Sequence, residues 1–393
     1  MADSSRQISA EMNVLVCCAR RNLDSAQRVR LKSFLPEVID WAMLIRLAHE
    51  NGLLPLLYEH LQEIGADCVP REVLSKLREE NRQSALRALF LSAELLRIAG
   101  SFSQENIPFI PYKGPALAVR AYGNPSLRQF DDLDIVVPQR CMAAVYDEMA
   151  TLGYASKVVR ERCTTKNARE IPGEYVFLHK VNHCMVEVHT EMTLRHFPVR
   201  PDVEAMIRRG IRISMNGKEV PSFAREDGLL MLVVHGAKDF WARLIWVADV
   251  AEIIRGSRDI AWDTVFAEAR GLKLTRMLKL GLWLAHEILG AALPGEVAAL
   301  VETDRAAARL GSAVSGHLLA GRKLPGSILR RSLYRIRMTE SLRDGLRYWV
   351  RLSTAPAEED WSMLDVPKPL ARSYALLRPL RLWKKYRSGA ARS

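Results

Sequence analysis

The chain has 393 residues, of which 49% are hydrophobic and 26% are charged, and its formal net charge is +12 at pH 7. This length is enough for two or three domains with a sizeable core, and the composition is that of a globular protein, which excludes wholesale disorder. The positive charge favours anionic partners such as a nucleotide, nucleic acid or a membrane surface, without choosing among them.

The sequence also bears on where the protein works. No apolar run approaches the roughly 20 residues that span a bilayer, and the start of the chain lacks the basic and apolar stretches of a secretion signal. The six cysteines show no paired metal spacing, which is typical of reduced thiols. We therefore expect a cytoplasmic protein without a transmembrane segment.

Helical periodicity dominates the first quarter of the chain. Apolar residues recur at helical spacing between residues 8 and 100, in stretches rich in Leu and Ala. The pattern changes at residue 107, where the short apolar stretch IPFIPYKG predicts a strand. The following PALAVRAYG predicts a short helix with Pro115 at its first position and Gly123 at its end.

Strand and helix signals then alternate. The segment LDIVV predicts a strand over 133–137, and CMAAVYDEMATLGY predicts a helix over 141–154. Two further strands, EYVFLHK (174–180) and CMVEVHTEM (184–192), are separated by a few residues and predict a hairpin. From about residue 222 the pattern is helical to near the end of the chain.

These elements predict an α+β fold in three parts. The parts are an N-terminal helical region (1–105), a small α/β core (106–221) and a C-terminal helical domain with a basic tail (222–393). We see no internal repeat and no low-complexity linker between them.

Acidic residues cluster at the start of the strand 133–137, in the stretch RQFDDLDIVV. Asp132 and Asp134 are two residues apart, so on a strand they point to the same face, while Leu133 and Ile135 point into the core. Two carboxylates on one face form a hard-oxygen site suited to Mg²⁺. Asp131 is the least expected ligand. The alternative, that the aspartates only cap a turn, stays open on this evidence.

A third carboxylate, Glu187, lies on another predicted strand. In CMVEVHT, Val186 and Val188 share one face, while Glu187 and His189 share the other. If this strand lay antiparallel to or beside 133–137, Glu187 would meet the two aspartates. Three carboxylates can hold two Mg²⁺ ions, as in enzymes of phosphoryl and nucleotidyl transfer. The alternative is an exposed strand residue without a ligand.

A Lys-Gly pair precedes the aspartates by about 20 residues and opens the helix after residue 114. Gly114 lets the backbone approach a ligand closely, and the N–H groups of the first helical turn can hold a phosphate. Lys113 adds a positive charge. The P-loop pattern is missing, so the order Lys-Gly, short helix and Asp-x-Asp strand is the informative feature.

Further candidates flank these motifs. Arg128 lies just before the aspartates, where its guanidinium could contact phosphate or form an ion pair with Asp131. The segment HGAKDFWARLIWVADVAEII predicts one helix over 235–254, whose polar face includes His235, Lys238 and Asp249. We expect Lys238 to contact the β- and γ-phosphates with His235 nearby, or both to lie on a solvated face. For Asp249 we expect a structural hydrogen bond or ion pair.

The order of these motifs resembles that of a known family. KGPALAVRAYGNPSLRQFDDLDIVV, then VEVH, then HGAKDFWARLIWVADVAEII resemble the bacterial nucleotidyltransferase-5 family, a branch of the DNA polymerase β-like superfamily. The segment 353–386 is similar to that family's ending as well. The resemblance implies a polymerase β-like sheet core and places Lys113-Gly114 at the triphosphate-binding turn. It also implies that Asp132 and Asp134 form the metal pair and that Glu187 is the third carboxylate.

The resulting hypothesis is an enzyme that transfers a nucleotidyl group from an NTP to an acceptor hydroxyl and releases pyrophosphate. The expected cofactor is Mg²⁺, with Mn²⁺ as a substitute, and ATP is the default donor. The acceptor stays open among a small molecule, a peptide, a lipid-linked sugar and nucleic acid. One alternative is a phosphohydrolase that uses water as the acceptor.

A second alternative is an inactive protein of the same fold that binds nucleic acid or a partner through its basic end. That end comprises 330–352 and 378–393, where arginines alternate with Trp and Tyr. Such residues could bind an anionic partner. They could equally be helical arginines whose stems cover apolar neighbours.

Overall fold

The computed structural model of the protein describes residues 8–35, 39–64, 68–156, 160, 173–192, 201–257, 259–321 and 328–354. Helices make up most of this part of the chain, and a small mixed sheet lies between them, so the predicted α+β class is confirmed. Among the described residues, no helix has the length and apolar character needed to cross a membrane.

The N-terminal helices precede the sheet, as the periodicity predicted. The last of them runs for 34 residues and leads into the first strand. They are α1 (Ala10–Cys18), α2 (Ser25–Phe34), α3 (Trp41–Asn51), α4 (Leu54–Ile64) and α5 (Arg71–Gln104).

The sheet has the strand order β1-β2-β5-β4-β3. β2 pairs parallel with β5, and the other neighbours are antiparallel, including the predicted hairpin of β4 and β5. The elements are β1 (Ile110–Pro111), α6 (Gly114–Tyr122), β2 (Leu133–Val136), α7 (Met142–Thr151), β3 (Tyr154–Ser156), β4 (Glu174–His179) and β5 (Met185–His189). A separate antiparallel pair follows after α8 (Val203–Arg208), formed by β6 (Ile211–Met215) and β7 (Lys218–Ser222).

Helices make up the rest of the described chain, and the basic stretch 330–352 falls on the last two. The other basic stretch, 378–393, lies outside the described residues. The helices are α9 (Arg225–Lys238), α10 (Leu244–Arg255), α11 (Trp262–Gly271), α12 (Thr275–Leu289), α13 (Gly295–Glu302), α14 (Arg305–Leu318), α15 (Ile328–Met338) and α16 (Leu342–Thr354).

Two clusters of buried apolar side chains hold these elements together. One cluster joins α5 and α7 to the sheet, with Ile98, Val145 and Ile135 fully buried. The other joins helices from both ends of the chain, with Leu15 of α1 and Leu278 of α12 in the same cluster. The division of the chain at residues 105 and 221 stays a prediction.

The prediction of one helix over 235–254 is wrong, because the helix stops at Lys238 and a new one starts at Leu244. The Trp241 N–H donates to the Gly236 carbonyl (2.7 Å) and the Phe240 N–H to the Ala237 carbonyl (3.3 Å), which is the hydrogen-bond pattern of a Schellman cap. Phe240 and Trp241 both have positive φ. Burial of the Trp241 ring, which is fully removed from solvent, supplies the free energy that offsets this strained backbone.

Candidate functional site

The two strands that carry the acidic residues lie side by side, parallel to each other. Asp134 of β2 is the direct register partner of Glu187 of β5. Leu133 and Ile135 on one strand, and Val186 and Val188 on the other, are buried in the core. The alternation of side chains along a strand therefore leaves Asp134 and Glu187 together on the opposite face.

Asp134 is an ionised carboxylate held by two partners. Its Oδ1 lies 3.1 Å from Lys113 Nζ and accepts a hydrogen bond from His189 Nε2 at 3.0 Å. The side chain is buried, which would raise its pKa, but the Lys113 charge and the His189 hydrogen bond outweigh burial and hold the pKa well below its usual range. The site thus contains a fixed negative charge at every physiological pH.

Glu187 and Asp132 have the opposite electrostatic environment. Burial, followed by the charges of Asp134 and Glu174, raises the pKa of Glu187 to about 7. Burial, followed by the Asp134 charge, also raises the pKa of Asp132. Carboxylates that repel one another in this way are stabilised in their charged form when a cation lies between them.

The donor set fits a hard divalent cation. Ligand atoms of Asp134, Glu187 and His189 all lie within 4.8 Å of one another. Carboxylate oxygens are the ligands that Mg²⁺ prefers, and the His189 imidazole can either join them or orient Asp134 by its hydrogen bond. His189 was missed as a site residue, although the alternation that places Glu187 on this face places His189 there too.

A cavity of about 230 Å³ opens beside Asp132 and Asp134. Lys113 and Gly114, at the start of α6, lie on its wall. Gly114 has φ of +60°, a conformation in which any other residue would be strained, so the turn into α6 depends on glycine. The cavity is lined by Lys113, Gly114, Arg128, Gln129, Phe130, Asp131, Asp132, Asp134, His235, Arg243, Ile245 and Trp246.

Arg128 lines this cavity but is already paired behind it. Its guanidinium makes two hydrogen bonds to the Asp249 carboxylate, at 2.9 and 2.8 Å, and both residues are buried. The structural role predicted for Asp249 is therefore confirmed. In the structure Arg128 forms its ion pair with Asp249, whereas the sequence analysis named Asp131 as the candidate partner. Contact between Arg128 and phosphate stays a prediction.

His235 and Lys238 of α9 lie at different distances from the cavity. His235 lines it, with its ring edge-on to Tyr112 and Trp246. Burial, followed by the Lys113 charge, lowers the pKa of His235, so the imidazole is neutral at neutral pH and acts as a hydrogen-bonding group. Lys238 is more exposed and lies 3.7 Å from Glu174, which is also 3.8 Å from His189. Its contact with phosphates stays a prediction.

Comparison with known proteins identifies the family to which the chain is similar. A family model described as "uncharacterised nucleotidyltransferase" matches residues 37–290, which is more than half of the 393 residues. The matched range includes every predicted site residue, from Lys113 to Lys238. No curated protein matches the chain.

Proposed function

The chain belongs to this family of nucleotidyltransferases, and from that premise we propose that it transfers a nucleotidyl group from an NTP to an acceptor hydroxyl. The family resemblance drawn from the motifs is confirmed over 37–290, while the similarity at 353–386 lies beyond the matched range. We keep Mg²⁺ as the expected cation and ATP as the default donor.

The observation that carries the proposal is the register pair of Asp134 and Glu187 on parallel strands. It brings carboxylates from two distant parts of the sequence to one face, next to Asp132 and the start of α6. Two parallel strands with no such chemistry would bury apolar residues on both faces. The acidic face is costly without a cation, as the raised pKa of Glu187 indicates.

Asp132, Asp134 and Glu187 would hold Mg²⁺, and His189 would join them or orient Asp134. When bound, this cation would lower the pKa of the acceptor hydroxyl and offset charge on the leaving pyrophosphate. Lys113 and the N–H groups of the first turn of α6 would bind the triphosphate. Lys113 lies 3.1 Å from Asp134, which supports a triphosphate bound beside the acidic face.

In the proposed reaction, the acceptor oxygen attacks the α-phosphorus and forms a new O–P bond. The bond from the α-phosphorus to the oxygen that bridges to the β-phosphorus breaks, and pyrophosphate leaves with that electron pair. Glu187 takes the proton of the acceptor hydroxyl on a carboxylate oxygen. The raised pKa of Glu187 applies to the site without a cation; a bound cation would lower it and keep the carboxylate ionised, able to accept that proton.

In the test, the protein is incubated with Mg²⁺, ATP labelled at the α-phosphate, and a cell extract as the source of acceptors. Pyrophosphate and the labelled products are then measured. We expect pyrophosphate release and label on an acceptor, both lost in the double variant Asp132→Asn/Asp134→Asn. Asp263→Asn is the control, because Asp263 is an exposed carboxylate of α11 that does not line the cavity, and it should keep activity. Release of labelled nucleotide, with no label on any acceptor, would favour the phosphohydrolase. Binding of ATP without turnover would favour the inactive protein.

A further inference from the structure

Arg243 is a cationic residue of the cavity that the sequence analysis did not identify as a site residue, because it falls inside the segment predicted as one continuous helix. It occupies the position before α10 and lines the cavity together with Lys113, Asp132 and Trp246. It lies in the break that separates α9 from α10. The Schellman cap at residues 236–241 thus determines where its backbone runs.

The end of helix α3 holds this arginine in place. Arg243 Nε donates to the Glu50 carbonyl at 3.2 Å, and the neighbouring Leu244 N–H donates to Asn51 Oδ1 at 2.9 Å. Asn51 is itself fixed by a hydrogen bond to the Leu47 carbonyl. Gly52 makes room for the guanidinium, since a Cβ there would lie 2.8 Å from Arg243 Nη2.

Arg243 differs from the other cations of the cavity in that its guanidinium forms no direct ion pair within the described residues, although Asp131, Asp249 and Asp132 are close enough to favour its charge. Lys113 pairs with Asp134 and Arg128 pairs with Asp249. No carboxylate in the described ranges lies within ion-pair distance of Arg243. Burial, followed by the nearby Arg128 charge, lowers the pKa of Arg243, so an anion bound beside it would relieve an existing electrostatic cost.

We infer that Arg243 binds non-bridging phosphate oxygens of the nucleotide through its terminal guanidinium N–H groups, an assignment that rests on the proposed function. The planar guanidinium matches the geometry of two phosphate oxygens. The cavity, at about 230 Å³, is smaller than the roughly 300–1,000 Å³ of pockets that enclose whole ligands. A cavity of this size suits the phosphates, and we expect the nucleoside to lie outside it.

The first test titrates inorganic tripolyphosphate and Mg²⁺ into the full chain by calorimetry. Arg243→Gln should weaken binding at least tenfold, and Arg243→Lys should fall between it and the wild type, since lysine keeps the charge and loses the two-pronged geometry. Arg46→Gln is the charge-matched control, because Arg46 is exposed on α3, and it should bind within twofold of the wild type. Equal affinity of Arg243→Gln and wild type overturns the inference.

A second test moves the guanidinium without removing it. Gly52→Ala puts a methyl group against Arg243, whereas Gly290→Ala imposes the same kind of left-handed strain where no atom lies within 4 Å of the new Cβ. Both variants should be less stable, but only Gly52→Ala should bind tripolyphosphate more weakly, by fivefold or more. Equal binding in the two variants counts against the inference.

The outcomes separate this inference from the proposed function. If wild type binds tripolyphosphate through Arg243 but labels no acceptor, nucleotidyl transfer fails and the phosphate site stands. If it labels an acceptor and Arg243→Gln binds tripolyphosphate normally, transfer stands and the role of Arg243 is overturned. If wild type binds neither tripolyphosphate nor ATP, both are overturned.

Discussion

Arg128 and Asp249 form a buried, two-pronged ion pair although 121 residues separate them in the sequence. Nε and Nη2 of the arginine donate to the two carboxylate oxygens, and Tyr122 donates its hydroxyl to the same carboxylate at 3.0 Å. This network ties the residues before β2 to α10. The wall of the candidate site therefore depends on a contact between the sheet region and the C-terminal helices.

Removing one partner of this pair should destabilise the fold strongly. Asp249→Asn leaves the Arg128 charge buried without compensation, and we expect the free energy of unfolding in urea to fall by roughly 3–5 kcal/mol. The double variant Arg128→Met/Asp249→Leu removes both charges and should recover most of that loss. If the double variant is no more stable than Asp249→Asn, the cost does not come from an unpaired charge.

The same double variant tests the predicted phosphate contact of Arg128. If Arg128 binds the nucleotide, the repaired protein should fold normally and bind ATP at least tenfold more weakly than the wild type, as expected for loss of a charged hydrogen bond. Wild-type affinity in the double variant would leave Arg128 with a structural role alone.

The pKa of Glu187 predicts an unusual dependence of stability on pH. A carboxyl whose pKa is about 7 in the folded state and about 4.3 in the unfolded chain holds its proton in the fold while the unfolded chain has lost it. Stability therefore falls as pH rises between these values, because the folded state binds more protons. At 1.36 kcal/mol per pKa unit, the loss is at most about 4 kcal/mol.

Glu187→Gln removes this titration and should flatten the pH profile of unfolding free energy in metal-free buffer with EDTA. Above pH 7 the variant should therefore be more stable than the wild type. Asp132 acts in the same direction, since its pKa is also raised. His235 acts in the opposite direction, since its pKa is lowered, so the comparison of the two profiles is the test. A Glu187→Gln profile with the same slope as the wild type between pH 5 and 7 would contradict the assigned repulsion.

The face of each site residue could be predicted from the sequence, but its partner could not. Alternation along β2 and β5 places Asp134 and Glu187 on polar faces, and this holds whichever strands pair. Parallel pairing and its register depend on the path of the chain between residues 137 and 185. The alternation of side chains along a strand gives no information about that path. The Arg128–Asp249 contact was missed for the same reason, because local spacing has no information on contacts 121 residues apart.

The helix break after Lys238 shows a different limit. Apolar residues continue at helical spacing through 240–247, and the usual signal for a Schellman cap is glycine at the left-handed position. Here Phe240 has that conformation, with φ of 61°. Burial of the Trp241 ring in the tertiary core overrides the local preference. Arg243 was consequently expected on a helix, and its place in the cavity could not be foreseen.

Glu187→Gln also separates binding from chemistry under the proposed mechanism. The substitution keeps the shape of the side chain and removes the basic oxygen. We expect Mg²⁺-ATP binding to stay within about threefold and transfer to slow by roughly a hundredfold or more, the range for loss of a general base. Transfer at the wild-type rate would remove Glu187 as the base and make Glu174, on the adjacent strand, the next candidate. Loss of binding as complete as in Asp134→Asn would make Glu187 a part of the metal site alone.

The two lysines should contribute to nucleotide binding without being needed for folding. Lys113→Ala and Lys238→Ala are each expected to weaken ATP binding by roughly 1–3 kcal/mol in calorimetric titrations. Lys113→Ala has a second consequence, because it removes the charge that lowers the pKa of Asp134, so that pKa should rise in NMR titrations. Lys238→Ala is the natural control for this shift. Wild-type affinity in both variants would show that the triphosphate lies elsewhere.

The last prediction concerns Gly236, which packs against the Trp241 ring at the end of α9. A Cβ at Gly236 would lie 2.5 Å from the Trp241 ring, whereas a Cβ at Gly271, at the end of α11, meets nothing within 4 Å. Gly236→Ala should therefore lower the free energy of unfolding by roughly 1–3 kcal/mol through overpacking. Gly271→Ala should raise it by up to about 1 kcal/mol through helix propensity. Because Trp241 fixes the path to Arg243, Gly236→Ala should also weaken tripolyphosphate binding, and Gly271→Ala should not. If the two variants have the same stability and affinity, close packing of Trp241 on Gly236 does not set the position of Arg243.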